Sequence, residues 1–248
     1  MSRTTTAAVL IAVALLSPAG SRAMSLEISP VLVDLTSAAP SATITVKNAG
    51  ASPMRYQVKA FRWTEDRAGA PTLQPSDDFS IFPPLFQLAP GAARKVRVGA
   101  IVQPADQERS WRIVVEELPD AVSGSGPKIL LRTRFAVPAF LAPKQPISKG
   151  ELGLELDGKR LAFVVANRGN VRLKQSSTVV ELFDATGRRI GEVTPGSWYV
   201  LAGAERAVEV KVPEGLCSAV RRVRVVAKPL GGGQLEASAE YPDGVCGR

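Results

Sequence analysis

Lys128–Phe140 reads KILLRTRFAVPAF. Successive side chains of a β-strand point to opposite faces. One row is then Ile129, Leu131, Thr133, Phe135 and Val137, and the other is Leu130, Arg132, Arg134 and Ala136. The segment is expected to form one long strand with an apolar face and a basic face. An apolar strand at a sheet edge is normally disguised by charge, proline or covering structure. Here the row is long and undisguised. Two readings follow: an ordinary core strand of a sandwich, or an edge that lends its backbone and apolar row to an incomplete protein.

Strand patterns recur on both sides of this stretch. Leu26–Leu35 (LEISPVLVDL) reads as a first strand bent at Pro30, since proline cannot donate to a ladder. Ser41–Lys47, Met54–Trp63, Phe79–Phe82, Arg94–Val102 and Trp111–Leu118 follow as strands. In Met54–Trp63, Tyr56, Val58 and Phe61 are expected in the core, with a register break near Ala60. Thr64–Asp78 is polar and reads as a loop, and Ala121–Pro127 as a Ser/Gly connection. About seven strands at this spacing fit one immunoglobulin-like sandwich.

Pro143–Pro146 (PKQP) reads as a short, extended linker. Beyond it two signals return in the same order. Asn167-Arg168-Gly169 echoes Asn48-Ala49-Gly50, and Leu201-Ala202-Gly203 before Arg206–Val212 echoes Leu88–Gly91 before Arg94–Val98. A repeat of this kind implies a duplicated unit. Val179–Phe183 and Ile190–Val193 read as a hairpin, with Arg222–Ala227 and Gln234–Tyr241 as late strands. No amphipathic helix is expected. The predicted fold is all-β: two tandem immunoglobulin-like β-sandwich domains over residues 24–143 and 144–248.

Residues 1–23 read as a signal peptide. Arg3 precedes the apolar run Ala7–Leu16, and Ser21-Arg22-Ala23 supplies small residues for cleavage after Ala23. The run is too short to span a bilayer. The full chain carries 31 Lys and Arg against 23 Asp and Glu; losing Arg3 and Arg22 leaves 29 basic residues and a net charge of +6. The basic residues are scattered, which suits a solvated surface and not a nucleic-acid footprint. Cys217 and Cys246 are the two cysteines. In an exported chain they are expected to form one disulfide. Histidine is absent, which removes Ser-His and Cys-His nucleophiles and every His-containing metal site. Glu116 and Glu117, adjacent on a strand, face opposite ways. No enzyme activity, metal or cofactor is expected.

The ordered set FPPLFQLAPGAARKVRV (Phe82–Val98), WRIVVEELP (Trp111–Pro119), a Ser/Gly loop and the alternating strand resembles the periplasmic pilus-assembly chaperones of the chaperone–usher pathway. PVLVDL (Pro30–Leu35), Phe61-Arg62-Trp63 and Glu116–Pro119 look closest to the archaic branch that serves spore-coat-like pilins. The resemblance implies a periplasmic protein whose partners are pilin subunits with an incomplete Ig fold and an outer-membrane usher. It implies that Ile129, Leu131, Thr133 and Phe135 fill the subunit's groove by strand addition, alternate side chains setting the register. Thr133 is a weaker plug than the usual aliphatic residue. Better-known members anchor the subunit's C-terminal carboxylate with a first-strand Arg and a Lys late in the key strand. Those positions here are Leu32 and Pro138, which cannot do so. The anchor is expected at Arg112, with Arg97 as second choice, because a guanidinium grips a carboxylate bidentately.

Two other readings stand beside it. An exported Ig-like adhesin or pilin would carry an alternating donor extension after the signal, whereas here the chain passes directly into LEISP. A carboxylate-based glycosidase on a sandwich scaffold needs two converging acids, and no spacing suggests them. Self-association through the exposed edge is a further expectation.

Overall fold

The computed structural model describes residues 26–118, 132–157, 160–196, 198–230 and 233–241. The signal segment, the Ser/Gly connection, Ile129, Leu131 and Cys246 lie outside the described residues.

The first ten strands are β1 (Leu26–Ser29), β2 (Val33–Leu35), β3 (Ser41–Asn48), β4 (Met54–Glu65), β5 (Pro71–Pro75), β6 (Phe79–Phe82), β7 (Leu85–Leu88), β8 (Ala93–Ala100), β9 (Arg109–Leu118) and β10 (Arg134–Leu141). They form a sheet in the order β1-β3-β8-β6 and a second in the order β2-β10-β9-β4-β5, with β7 also on β4. One core lies between them, built from alternate residues such as Ile44, Val46, Tyr56, Val58, Val96, Val98, Trp111, Ile113, Val115 and Val137. Burying aliphatic side chains of this size is worth about 1.5–3 kcal/mol each.

Three expectations are corrected here. Leu26–Leu35 is not one bent strand. It breaks at Pro30, so that β1 pairs with β3 in one sheet and β2 pairs with β10 in the other. In β4 the alternation runs unbroken past Ala60, which packs on the core, while Phe61 and Trp63 share the opposite row. Part of the expected loop Thr64–Asp78 is β5, which pairs residue for residue with Phe61–Glu65; Pro71 and Pro75 suit an edge strand, where one flank needs no donors.

The rest of the chain repeats the plan. β11 (Gly150–Asp157), β12 (Arg160–Asn167), β13 (Leu173–Phe183), β14 (Arg189–Val193), β15 (Tyr199–Val200), β16 (Glu205–Val210), a one-turn helix α1 (Glu214–Cys217), β17 (Arg222–Pro229) and β18 (Leu235–Glu240) follow in order. The sheets run β11-β12-β16 and β14-β13-β17-β18, with β15 also on β13. Their core centres on Phe163, Val165, Val180, Leu182, Val223 and Val225.

The duplicated signals are the same knot tied twice. Asn48 and Asn167 are each 1% exposed. Asn48 Nδ2 donates to the carbonyls of Leu88 and Ser52, and its Oδ1 accepts from Gly50 N–H at 3.0 Å. Asn167 Nδ2 donates to Val171, Val200 and Leu201, and its Oδ1 accepts from Gly169 N–H at 3.0 Å. Each asparagine's own N–H reaches the residue after a turn glycine, Ala92 in one case and Ala204 in the other. Those glycines, Gly91 and Gly203, have φ of 74° and 73°, a left-handed conformation that glycine takes without a Cβ penalty.

Candidate functional site

The register of β10 defines two different halves. Ala139–Leu141 is closed on both flanks, by β9 on one side and by parallel pairing with Val33–Leu35 on the other. Arg134–Pro138 pairs with β9 alone among the described residues. The expected long strand therefore enters the ladder at Arg134; Lys128–Leu131 lies outside the described residues.

Backbone direction follows from one bond. Thr133 C=O accepts from Glu117 N–H at 3.0 Å, and Thr133 N–H donates to Glu117 Oε2 at 3.1 Å. In an antiparallel ladder bonding alternates along the strand. The polar backbone groups of Phe135 and Val137 thus face β9, while those of Arg134, Ala136 and Pro138 face the open side. Ala142 N–H, bonded to Leu35 O at 2.9 Å, continues the outward parity. Pro138 falls where no β9 partner needs its missing N–H, which is where proline is tolerated in a sheet.

Side chains follow the same alternation. Phe135 is half-buried and packs against the first core. Thr133 is half-buried and tied to Glu117, which is itself 3% exposed. Arg134 and Arg132 are exposed, as the basic face requires, and the Arg134 guanidinium lies over the Phe61 ring at 5.8 Å.

Arg112 stands opposite Pro138 on one side and Phe61 on the other. Its guanidinium stacks 3.7 Å from the centre of the Trp63 ring. Burial lowers its pKa below the usual arginine value, opposed by the nearby Tyr199 and Glu65. Among the described residues it forms no ion pair. Through the Trp63 ring Arg112 borders the junction of the two sandwiches, where Trp63, Phe140 and Leu201 are buried together with Leu32 and Tyr199 packed against them. Trp63 meets Tyr199 edge-on at 6.1 Å, and Phe140 meets Tyr199 at 5.7 Å. Leu32 and Pro138, the two positions without charge, thus border the same region as Arg112.

Arg97 lies elsewhere. It is exposed on β8, in the other sheet, and its Nη2 donates to Ser41 Oγ at 2.9 Å. The structure does not bring it together with Arg112.

Arg172, before β13, ties the two sandwiches together beside Phe140. Its Nη1 lies 2.6 Å from Glu108 Oε2 and its Nη2 2.5 Å from Asp34 Oδ1. The same guanidinium covers the Phe140 ring at 3.8 Å. The Glu108 side chain is 4% exposed; burial raises its pKa above the ordinary carboxylate value, opposed by Arg172. Sequence reasoning missed this triad because its members lie far apart in the chain. Among the described residues no cluster of acids and cysteines could hold a metal, and no helix is long and apolar enough to cross a membrane.

Comparison with known proteins follows the same lines. Residues 25–146 match the model of the pili and flagellar-assembly chaperone family, PapD N-terminal domain. No match is found among curated protein sequences. Among solved structures, one similar chain comes from the CsuC–CsuE chaperone–tip adhesion subunit pre-assembly complex of the archaic chaperone–usher Csu pili of Acinetobacter baumannii. It shares 16% identity at a TM-score of 0.58, covering 87% of this chain and 98% of that one. A chain of the Salmonella enterica SafA pilin–SafB chaperone complex shares 16% identity at a TM-score of 0.54, covering 90% and 98%. The E. coli chaperone DraB shares 18% at 0.53, covering 88% and 98%. Taken with the match over the whole first sandwich, the chain belongs to the family of pilus-assembly chaperones.

Proposed function

We propose that the open half of β10, continued upstream by Ile129 and Leu131, is lent as a strand to a pilus subunit whose Ig fold lacks one. Arg112 holds the subunit's C-terminal carboxylate at the junction of the two sandwiches. The observation that carries this reading is the half-closed state of β10: one end is paired on both flanks and the other on one. A guest strand alongside Arg134–Pro138 would meet the outward N–H groups of Arg134 and Ala136. Backbone bonding of this kind supplies affinity, and alternate side chains supply register. A half-buried, stacked guanidinium that forms no internal ion pair is suited to bidentate capture of an incoming carboxylate.

Family membership supports a wider reading. The protein works in the periplasm after cleavage behind Ala23 and passes its subunit to an outer-membrane usher. No enzymatic step is needed, because folding energy withheld from the incomplete subunit drives its later exchange. Spore-coat-type subunits of the archaic branch are the proposed clients. The domain boundary is proposed between Pro143 and Lys144, in the segment joining β10 to β11. Cys217 and Cys246 are proposed to pair: Cys217 Sγ lies 3.9 Å from the Tyr241 hydroxyl, and Cys246 follows closely in sequence.

The test is co-expression with a spore-coat-type pilin subunit in a bacterial periplasm. Arg112→Ala and Leu131→Asp are each expected to abolish co-purification while the circular dichroism spectrum is unchanged. Normal subunit recovery with both variants overturns the mechanism.

A further inference from the structure

The β4–β5 hairpin, which the sequence did not announce, reaches across to the second sandwich. Its tip is held internally: Asp66 N–H bonds Ala70 O at 3.1 Å, Gly69 N–H bonds Asp66 O at 2.9 Å, and Asp66 Oδ1 accepts from Ala70 N–H at 2.8 Å. This stiff tip grips several strands at once. Ala207 N–H, on the edge strand β16, donates to Arg67 O at 2.7 Å. The Arg67 guanidinium pairs with Glu155 on β11 and lies 3.9 Å from Glu205 on β16. Glu65 Oε1 accepts from Leu201 N–H at 2.7 Å. Gly69, with φ of +80°, lies against the Arg206 guanidinium, which a β-carbon there would displace, and its backbone conformation strains any other side chain. Arg206 is seated in turn over the Trp198 ring at 5.6 Å.

Glu65 and Trp63 share one row of β4. The strand that binds Leu201 through Glu65 therefore also carries the ring on which Arg112 stacks. Tyr199, two residues before Leu201, is the ring that meets Trp63 from the second sandwich. Any slippage of one sandwich past the other along this contact changes the spacing of Trp63, Tyr199 and Arg112.

We propose that the hairpin tip is a brace that sets the spacing at the junction of the two sandwiches, with Arg67 and Gly69 as positioning residues for the Arg112 anchor. This rests on the anchor reading above. Misplacing a binding group by about 1 Å is enough to cost one to two orders of magnitude in a preorganised site.

The test uses the full chain with a spore-coat-type pilin subunit, made once with its native C-terminus and once with a C-terminal glycine-serine extension that moves the carboxylate. Three changes are compared: Arg67→Ala, Gly69→Val, and Ala207→Pro, which removes the bridging N–H from an outward edge position. Small-angle scattering reads the arrangement of the sandwiches. The expected result is a broadened scattering profile and about a tenfold loss of native-subunit retention, with little further loss for the extended subunit. Arg112→Ala serves as the reference. If it abolishes retention while all three brace variants retain the subunit normally, the brace is wrong and the anchor stands. If the profile changes and retention does not, the brace is structural only and the proposal fails. If Arg112→Ala itself retains the subunit, the anchor reading fails.

Discussion

Arg112 has an aromatic plane beneath it and forms no ion pair among the described residues, although Glu65 is near enough to act on its charge. That combination separates it from Arg172, which is satisfied by Asp34 and Glu108. Arg112→Lys is expected to fail in subunit capture nearly as fully as Arg112→Ala, because an ammonium neither stacks flat nor forks; pull-down yield checks it. Tyr56 is fully buried, and burial together with Glu117 raises its phenol from 10.0 to about 12. The raised value means the folded state keeps the proton that the unfolded state gives up above its ordinary pKa. Tyr56 therefore supports the fold fully below pH 10 and loses that support as pH rises toward about 12. Burial raises Tyr241 as well, so absorbance titration should show a late phase of which Tyr56→Phe removes the Tyr56 part. Asn48→Ala and Asn167→Ala should each cost about 2 kcal/mol by denaturant unfolding, because buried carbonyls lose their donors. These asparagines were legible as repeated turn signals. Phe61 was misread because a bulky ring drew the expectation of burial, while the small Ala60 took the core-facing place.

At the scale of elements, long alternating strands were legible, whereas β5 and β11 were not. The pattern of β3, β8, β9 and β12 is dense in β-branched residues, and packing on one face enforces it. β5 reads PTLQP and β11 reads GELGLELD; proline, glycine and acids are poor strand formers, and only pairing on one flank makes them strands. Over the described residues 132–137 the alternation was read correctly as to faces. The half of β10 that stays open was not readable, because it depends on β2 beginning only at Val33. Ala136→Pro should leave the fold intact, since its N–H points outward, yet weaken subunit retention strongly; thermal melting and co-purification check the two halves of that statement.

The whole molecule depends on contacts that no local pattern encodes. Glu108, Asp34 and Arg172 meet only because two sandwiches meet. Removing one partner of a buried pair typically costs about 3–5 kcal/mol. Arg172→Ala is expected to lower stability by about 3 kcal/mol at neutral pH, read by guanidinium unfolding. Burial already raises the Glu108 carboxyl, and loss of the guanidinium raises it further. Protonation then relieves the stranded charge, so the deficit should shrink as pH falls below neutrality.

Pro138 also limits traffic along the strand it interrupts. A visitor annealing from the upstream end finds donors at Arg134 and Ala136, then none at Pro138, and next the already occupied flank of Ala139–Leu141. The imide is a terminus for zippering: it caps the length of any borrowed ladder and shields β2 from being peeled away, so that loading and unloading leave the host's own closure untouched.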